Sequence, residues 1–134
     1  MGALNNLTFR RESENDLILV SVWVDKDPLT FAIDTGATHS VIDLSQLIIM
    51  GYDLNMAIGN EQISTASGIE SAYIFNINSI EFMGIKHGNF KVRALDLVST
   101  GAGFYFDGLL GLDFFANNKI CIDMKEQIIS ISKS

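Results

Sequence analysis

The chain has 134 residues, 48% hydrophobic and 19% charged, with a formal net charge of −7. That size and balance suit one folded domain with its own core, and exclude a disordered segment or a pair of domains. Nine Lys and Arg against sixteen Asp and Glu provide no basic face, so no nucleic-acid partner is expected, and no apolar run approaches the ~20 residues that cross a bilayer, so no membrane insertion is expected.

The first sixteen residues are polar and mixed in charge, and read as a flexible N-terminal arm ahead of a folded domain over 17–134. No basic region followed by a long apolar run marks a signal peptide, so a soluble, cytoplasmic protein is the expectation. Leu17 to Val24 is strand by composition, Asp25-Lys26-Asp27-Pro28 turns the chain, and Leu29 to Ile33 returns as an antiparallel partner. After Ser40-Val41-Ile42, the segment Ser45 to Met50 suits a short helix, with Asp43 as cap and Gly51 as stop. Asn55 to Gln62 has little period and reads as loop. Ile63 to Phe75 reads as two strand arms around Ser67-Gly68.

Further strands run from Ile77 to Phe82 and from Phe90 to Leu97, joined through Met83 to Asn89. Ser99 to Phe104 lacks the third glycine and the βαβ setting of a nucleotide loop, and reads as a surface loop. Leu112 to Asn117 suits a second short helix, and Ile120 to Ile131 a last hairpin around Met124-Lys125-Glu126. The lone Cys121 allows no intrachain disulfide and reads as a buried strand residue, while His39 and His87 lack metal-ligand spacing. No cofactor and no metal are expected. The pattern as a whole is all-β with one or two short helices.

Chemistry concentrates in Phe31-Ala32-Ile33-Asp34-Thr35-Gly36-Ala37, which sets a carboxylate at a tight turn between two apolar strands. An acid there must be hydrogen-bonded, paired or protonated, because an isolated buried carboxylate is too costly. By itself the tripeptide Asp34-Thr35-Gly36 fits an ordinary turn. A second stretch, Asp107-Gly108-Leu109-Leu110-Gly111-Leu112-Asp113-Phe114-Phe115, alters that reading. Together the two motifs resemble the pepsin–retropepsin class of aspartic proteases, in its single-lobe, retropepsin-like branch. The tail, with Cys121-Ile122-Asp123-Met124-Lys125 after it, looks most like the retropepsin-like domain of the DNA-damage-inducible ubiquitin-shuttle proteins, and bacterial single-lobe relatives are similar.

The resemblance spans roughly Leu17 to Ser132 and implies a closed β-barrel or sandwich assembled as a two-fold homodimer. It also implies an aspartic endopeptidase acting on polypeptide substrates. Asp34 from each subunit would activate a water, and Thr35 from each would lock the two turns together. Gly36 would approach the substrate backbone, with Ala37 and Thr38 lining the cleft. Ser67, Gly68 and Ile69 would belong to a flap hairpin over the bound peptide, and Leu109, Leu110 and Gly111 would pack behind the catalytic turn. The sequence itself supports the half-site: no other aspartate is followed by Thr-Gly or Ser-Gly, so a second such carboxylate needs a second chain.

Viral members commonly carry an acid and an Arg where this chain has Thr38 and Leu112, so their bracing ion pair is absent here. The rival reading is a catalytically weak retropepsin-like module that binds peptide or regulates as a dimer, since fold does not fix function.

Overall fold

The structure, a computed structural model, describes residues 4–65, 68–99 and 106–133. Its main body is a seven-stranded sheet in the order β2 (Leu19–Val24), β3 (Asp27–Ile33), β8 (Gly108–Leu110), β4 (Val41–Asp43), β7 (Ile85–Leu95), β6 (Gly68–Phe82) and β5 (Gly59–Thr65). Trp23 and Val24 of β2 also pair with Glu81 and Ile80 of β6, so six of these strands close into a barrel. Closure removes the open edges that an isolated sheet would expose.

Strict alternation drives this packing. In β2, Val20, Val22 and Val24 point inward, while Leu19, Ser21 and Trp23 face out. Val22, Val24, Phe31, Phe75, Ile77 and Leu110 meet in one fully buried core. β5 pairs only with β6, and residues 68–72 of β6 pair only with β5, so this hairpin arm projects from the barrel wall.

Asp43 caps α1 (Leu44–Ile49) by accepting from the Gln46 N–H at 3.2 Å and from the Ser45 hydroxyl. It also takes the Leu97 N–H at 3.0 Å, which explains how a carboxylate only 6% exposed is tolerated. Gly51 follows the helix with φ of 106°, a value that a side chain would strain.

Several segments depart from the sequence reading. Residues 4–8, inside the segment expected to be a loose arm, form β1 (Leu4–Thr8), which pairs antiparallel with β10 (Ile128–Lys133). Leu7 packs on the core, and that burial offsets the cost of ordering the segment. Asn55 to Gln62 is not loop throughout, because a 3₁₀ turn (Leu54–Met56) leads into β5. Met83-Gly84 alone turns β6 into β7; both have positive φ, as a tight hairpin requires.

Leu112 to Asn117 is not a helix but a run of turns, with Phe114 and Phe115 N–H bonded to the carbonyls three residues back. Burying both phenylalanines in the core takes precedence over a segment too short to sustain a helix. Cys121 is exposed, not buried. It lies on β9 (Asn118–Asp123), an edge strand whose alternation sends Ile120 and Ile122 inward instead. Residues 100–104 of the expected surface loop lie outside the described residues.

Tyr52 ties two turns together. Its hydroxyl donates to Asp25 Oδ2 at 2.8 Å and accepts from the Asn78 N–H at 2.9 Å, while Asp25 Oδ1 takes the Ser79 N–H at 3.0 Å. Burial, reinforced by the Asp25 carboxylate, pushes the phenol up to about 12. Tyr52→Phe leaves Asp25 and Asn78 each without one partner and is expected to cost about 1–3 kcal/mol in chemical denaturation at neutral pH. With the phenol raised in the folded state, its contribution is complete below pH ~10, where the unfolded phenol begins to ionise. It is lost as pH rises towards about 12, so wild type and Tyr52→Phe should converge in stability across that window.

Candidate active site

The site is built where β8 threads between β3 and β4. β8 runs parallel to β3, pairing Phe31 with Gly108 and Ile33 with Leu110, and antiparallel to β4, pairing Val41 with Leu109. The turn that carries Asp34 therefore leaves the sheet on one side of β8 and re-enters on the other. Glycine is what permits this threading. A Cβ on Gly108 would lie 2.5 Å from the Val41 carbonyl oxygen, and one on Gly111 would lie 2.8 Å from that of Ala37.

Asp34 follows the last residue of β3. Its N–H donates to the Leu110 carbonyl at 3.0 Å, and its own carbonyl accepts from the Ala37 N–H at 3.1 Å. Oδ1 accepts the Gly36 N–H at 3.0 Å, which fixes the rotation of the carboxylate. Among the described residues Oδ2 has no hydrogen-bond partner, and the side chain is only partly buried. Gly36 does not have positive φ; its role is close approach, since a Cβ there would stand 3.3 Å from Asp34 Oδ1. Thr35, Gly36 and Thr38 are exposed and Ala37 is half-buried.

Beneath the turn lies a brace that the motif reading assigned no role. Ser40, fully buried, donates its hydroxyl to Asp113 Oδ1 at 2.7 Å and its N–H to both Asp113 oxygens at 3.0 Å. The same hydroxyl accepts the Gly111 N–H at 2.9 Å, and the Leu112 N–H reaches the Ala37 carbonyl at 2.9 Å. Leu110, Gly111 and Leu112 are thus stitched to both ends of the Asp34 turn, with Leu109 packed on the outer side beside Val41. The sequence signal for the brace is an aspartate between Leu112 and Phe114 and a serine directly ahead of Val41-Ile42, where a polar group that is buried needs a partner.

The hairpin arm joins this network from the other side. The Arg93 N–H donates to the Ser40 carbonyl at 3.0 Å, and its guanidinium donates to Glu61 of β5 at 2.7 Å. That guanidinium holds the Glu61 carboxyl below the usual carboxylate range, against the opposing effect of burial and with a smaller assist from His39. His39 Nδ1 in turn stands 3.9 Å from Asp113 Oδ2. Gly68 and Ile69 lie on the exposed outer part of the arm, while Ser67 lies outside the described residues. Among the described residues no cluster of His, Cys, Asp and Glu could hold a metal ion.

A family model described as "Aspartyl protease" matches residues 20–114, which include the Asp34 turn, the hairpin arm and β8. The chain belongs to the aspartyl protease family. Among solved structures, a retropepsin-like aspartic protease from Rickettsia conorii is similar over 99% of this chain and 94% of its own length, with a TM-score of 0.72 at 19% identity. EIAV protease in complex with the inhibitor HBY-793 is similar over 79% of this chain and 91% of its own, with a TM-score of 0.56 at 17% identity. No curated protein sequence matches. The fold of this aspartyl protease is thus retropepsin-like, a single lobe around one Asp-Thr-Gly turn.

Two substitutions test the brace. Ser40→Ala in this aspartyl protease strands the Gly111 N–H and removes a charge-assisted bond from Asp113, and should lower unfolding free energy by about 1–3 kcal/mol. Gly111→Ala drives a Cβ against backbone and should cost a similar or larger amount, read by denaturant midpoint. Wild-type stability in either variant would show that the turn does not depend on these contacts.

Proposed function

We propose that this aspartyl protease is an endopeptidase whose working form is a two-fold dimer, with one water held between the Asp34 carboxylates of the two chains. The ionised carboxylate takes a proton from the water as its oxygen attacks the scissile carbonyl carbon. The protonated carboxyl gives its proton to the carbonyl oxygen. The resulting diol collapses as a proton passes to the amide nitrogen and the C–N bond breaks. Two adjacent carboxyls suit this work because their mutual repulsion keeps one protonated while the other is charged.

The observation that carries the reading is the state of Asp34. It is oriented by the Gly36 N–H through one oxygen, with the other oxygen unpartnered among the described residues. The nearby aspartates are committed elsewhere. Asp113 is bound by Ser40, Asp43 caps a helix and takes the Leu97 N–H, and Asp107 Oδ2 takes the Thr30 N–H at 2.9 Å. One chain therefore supplies one carboxylate for chemistry, and the second must arrive with a second copy. The projecting β5–β6 arm, anchored through Glu61 and Arg93, is suited to lie over an extended peptide.

Asp34→Asn should reduce hydrolysis of an unfolded protein substrate by at least about a thousandfold while the melting temperature stays close to wild type. Specific activity of the wild type should rise with protein concentration and then level off as dimer saturates. An Asp34→Asn variant that cleaves as fast as wild type would remove Asp34 from the chemistry. A wild type that binds the peptide but never cleaves it would make the domain a peptide-binding module instead.

A further inference from the structure

The register of the hairpin arm shows which of its side chains look towards the Asp34 turn. Residues directly opposite each other on antiparallel strands share a face, and so do residues two apart on one strand. Ile63 of β5 pairs with Glu70 of β6, and Ala72 follows Glu70 by two, so all three lie on one face. Ala72 is buried in a cluster with Val41 and Leu95, and Ile63 and Leu109 pack against that cluster. Val41 opens β4 directly after the Asp34 turn, and Leu109 of β8 pairs with it. The next residue, Leu110, holds the Asp34 N–H on its carbonyl. The face that carries Glu70 is thus the one turned to the working end. Glu70 stands beyond Ala72, about 7 Å further out along the arm.

Glu70 is half-buried, and among the described residues it makes no ion pair and no side-chain hydrogen bond. A second carboxylate on this face, Glu61, lies opposite Ala72 and is satisfied by Arg93 at 2.7 Å. That bond also commits the guanidinium. No Lys or Arg occurs between Lys26 and Lys86, so the Asp34 turn, β4 and the arm hold no cation of their own.

We propose that Glu70 makes this site select peptides that carry a Lys or Arg close to the scissile bond. This rests on the endopeptidase reading above, and it adds the chemistry of the preferred substrate. An extended peptide under the arm meets an apolar floor from Ile63, Val41 and Leu109, with one uncompensated carboxylate at its edge. The alkyl stem of a Lys or Arg suits that floor, and its charged end suits Glu70. An acidic side chain in the same place adds a negative charge where no cation answers it, so the site discriminates by repulsion as well as attraction. In the two-fold dimer each copy contributes one Glu70, and the preference can fall on either side of the cleaved bond.

The test starts from a sequence that the wild type cuts in denatured casein, located by mass spectrometry. Quenched fluorescent peptides of that sequence then place Lys, Gln or Glu at each position around the cut. The readout is the ratio of kcat/KM for the Lys peptide to that for the Glu peptide, measured in wild type, Glu70→Gln, Glu70→Lys and Glu81→Gln. Glu81→Gln removes the same charge from the other end of β6, where Glu81 pairs with Trp23. At one position or more, the wild-type ratio should be on the order of tenfold, and it should shrink as salt is added. Glu70→Gln should bring it close to one, Glu70→Lys should invert it, and Glu81→Gln should keep the wild-type value. Thermal melting confirms that the variants fold; if they do not, the salt dependence of the wild-type ratio decides.

A wild-type ratio near one at every position would overturn the inference and leave the endopeptidase reading standing. So would a ratio that Glu70→Gln and Glu70→Lys leave unchanged, or one that Glu81→Gln moves equally. If wild type cuts neither casein nor any peptide, the endopeptidase reading fails. Binding of the same peptides, read by fluorescence polarisation, then decides the preference by itself: tighter Lys than Glu peptides in wild type but not in Glu70→Gln would support it, and equal binding would overturn it.

Discussion

A strand of three residues governs the working end of this molecule. β8 lies between β3 and β4 with hydrogen bonds to both, and the Asp34 turn is the loop of chain that must pass around it. The geometry tolerates no Cβ at Gly108 or Gly111, since either would collide with backbone. Once β8 is seated, the Leu110 carbonyl fixes where Asp34 emerges, and the Gly111 N–H fixes the Ser40 hydroxyl. The position of Asp34 follows from main-chain bonds on three strands, and its carboxylate is then oriented by the Gly36 N–H.

Polar groups under the turn extend that stiffness outward. Asp113 receives the Ser40 N–H and hydroxyl, Ser40 receives the Arg93 N–H on its carbonyl, and Arg93 holds Glu61 on the hairpin arm. A continuous path of hydrogen bonds thus runs from the arm to the turn that bears Asp34. The buried members are satisfied, as a low-dielectric site demands, because an unmatched polar group there would cost more than a bond contributes. The same logic separates Asp34 from its neighbours: one of its oxygens has no partner among the described residues, while Asp43, Asp107 and Asp113 hold structure together.

Within the chain, Glu61 is paired with Arg93 and Asp113 is held by Ser40, while Leu112 next to the turn stays exposed.

Much of this was legible in the residues alone. Composition marked Leu17 to Val24 as a strand, and the order Asp34-Thr35-Gly36 then Leu109-Leu110-Gly111 marked the turn and the strand behind it. Asp43 and Gly51 announced the ends of α1 by local chemistry. Local rules succeed where the partner lies within a few residues. They failed for Leu112 to Asn117, where core burial of Phe114 and Phe115 overrode a helical pattern, and for Cys121, whose exposure depends on which side of an edge strand the core lies. Ser40 and Asp113, 73 residues apart, meet only because β8 inserts beside β4, and Glu61 meets Arg93 only through the register of β5, β6 and β7. Sequence by itself determined where the first strands, the Asp34 turn and the cap of α1 fall, because composition and turn chemistry are local. Tertiary structure decided what holds them and what surrounds them, because strand register brings distant residues together and no local pattern encodes it.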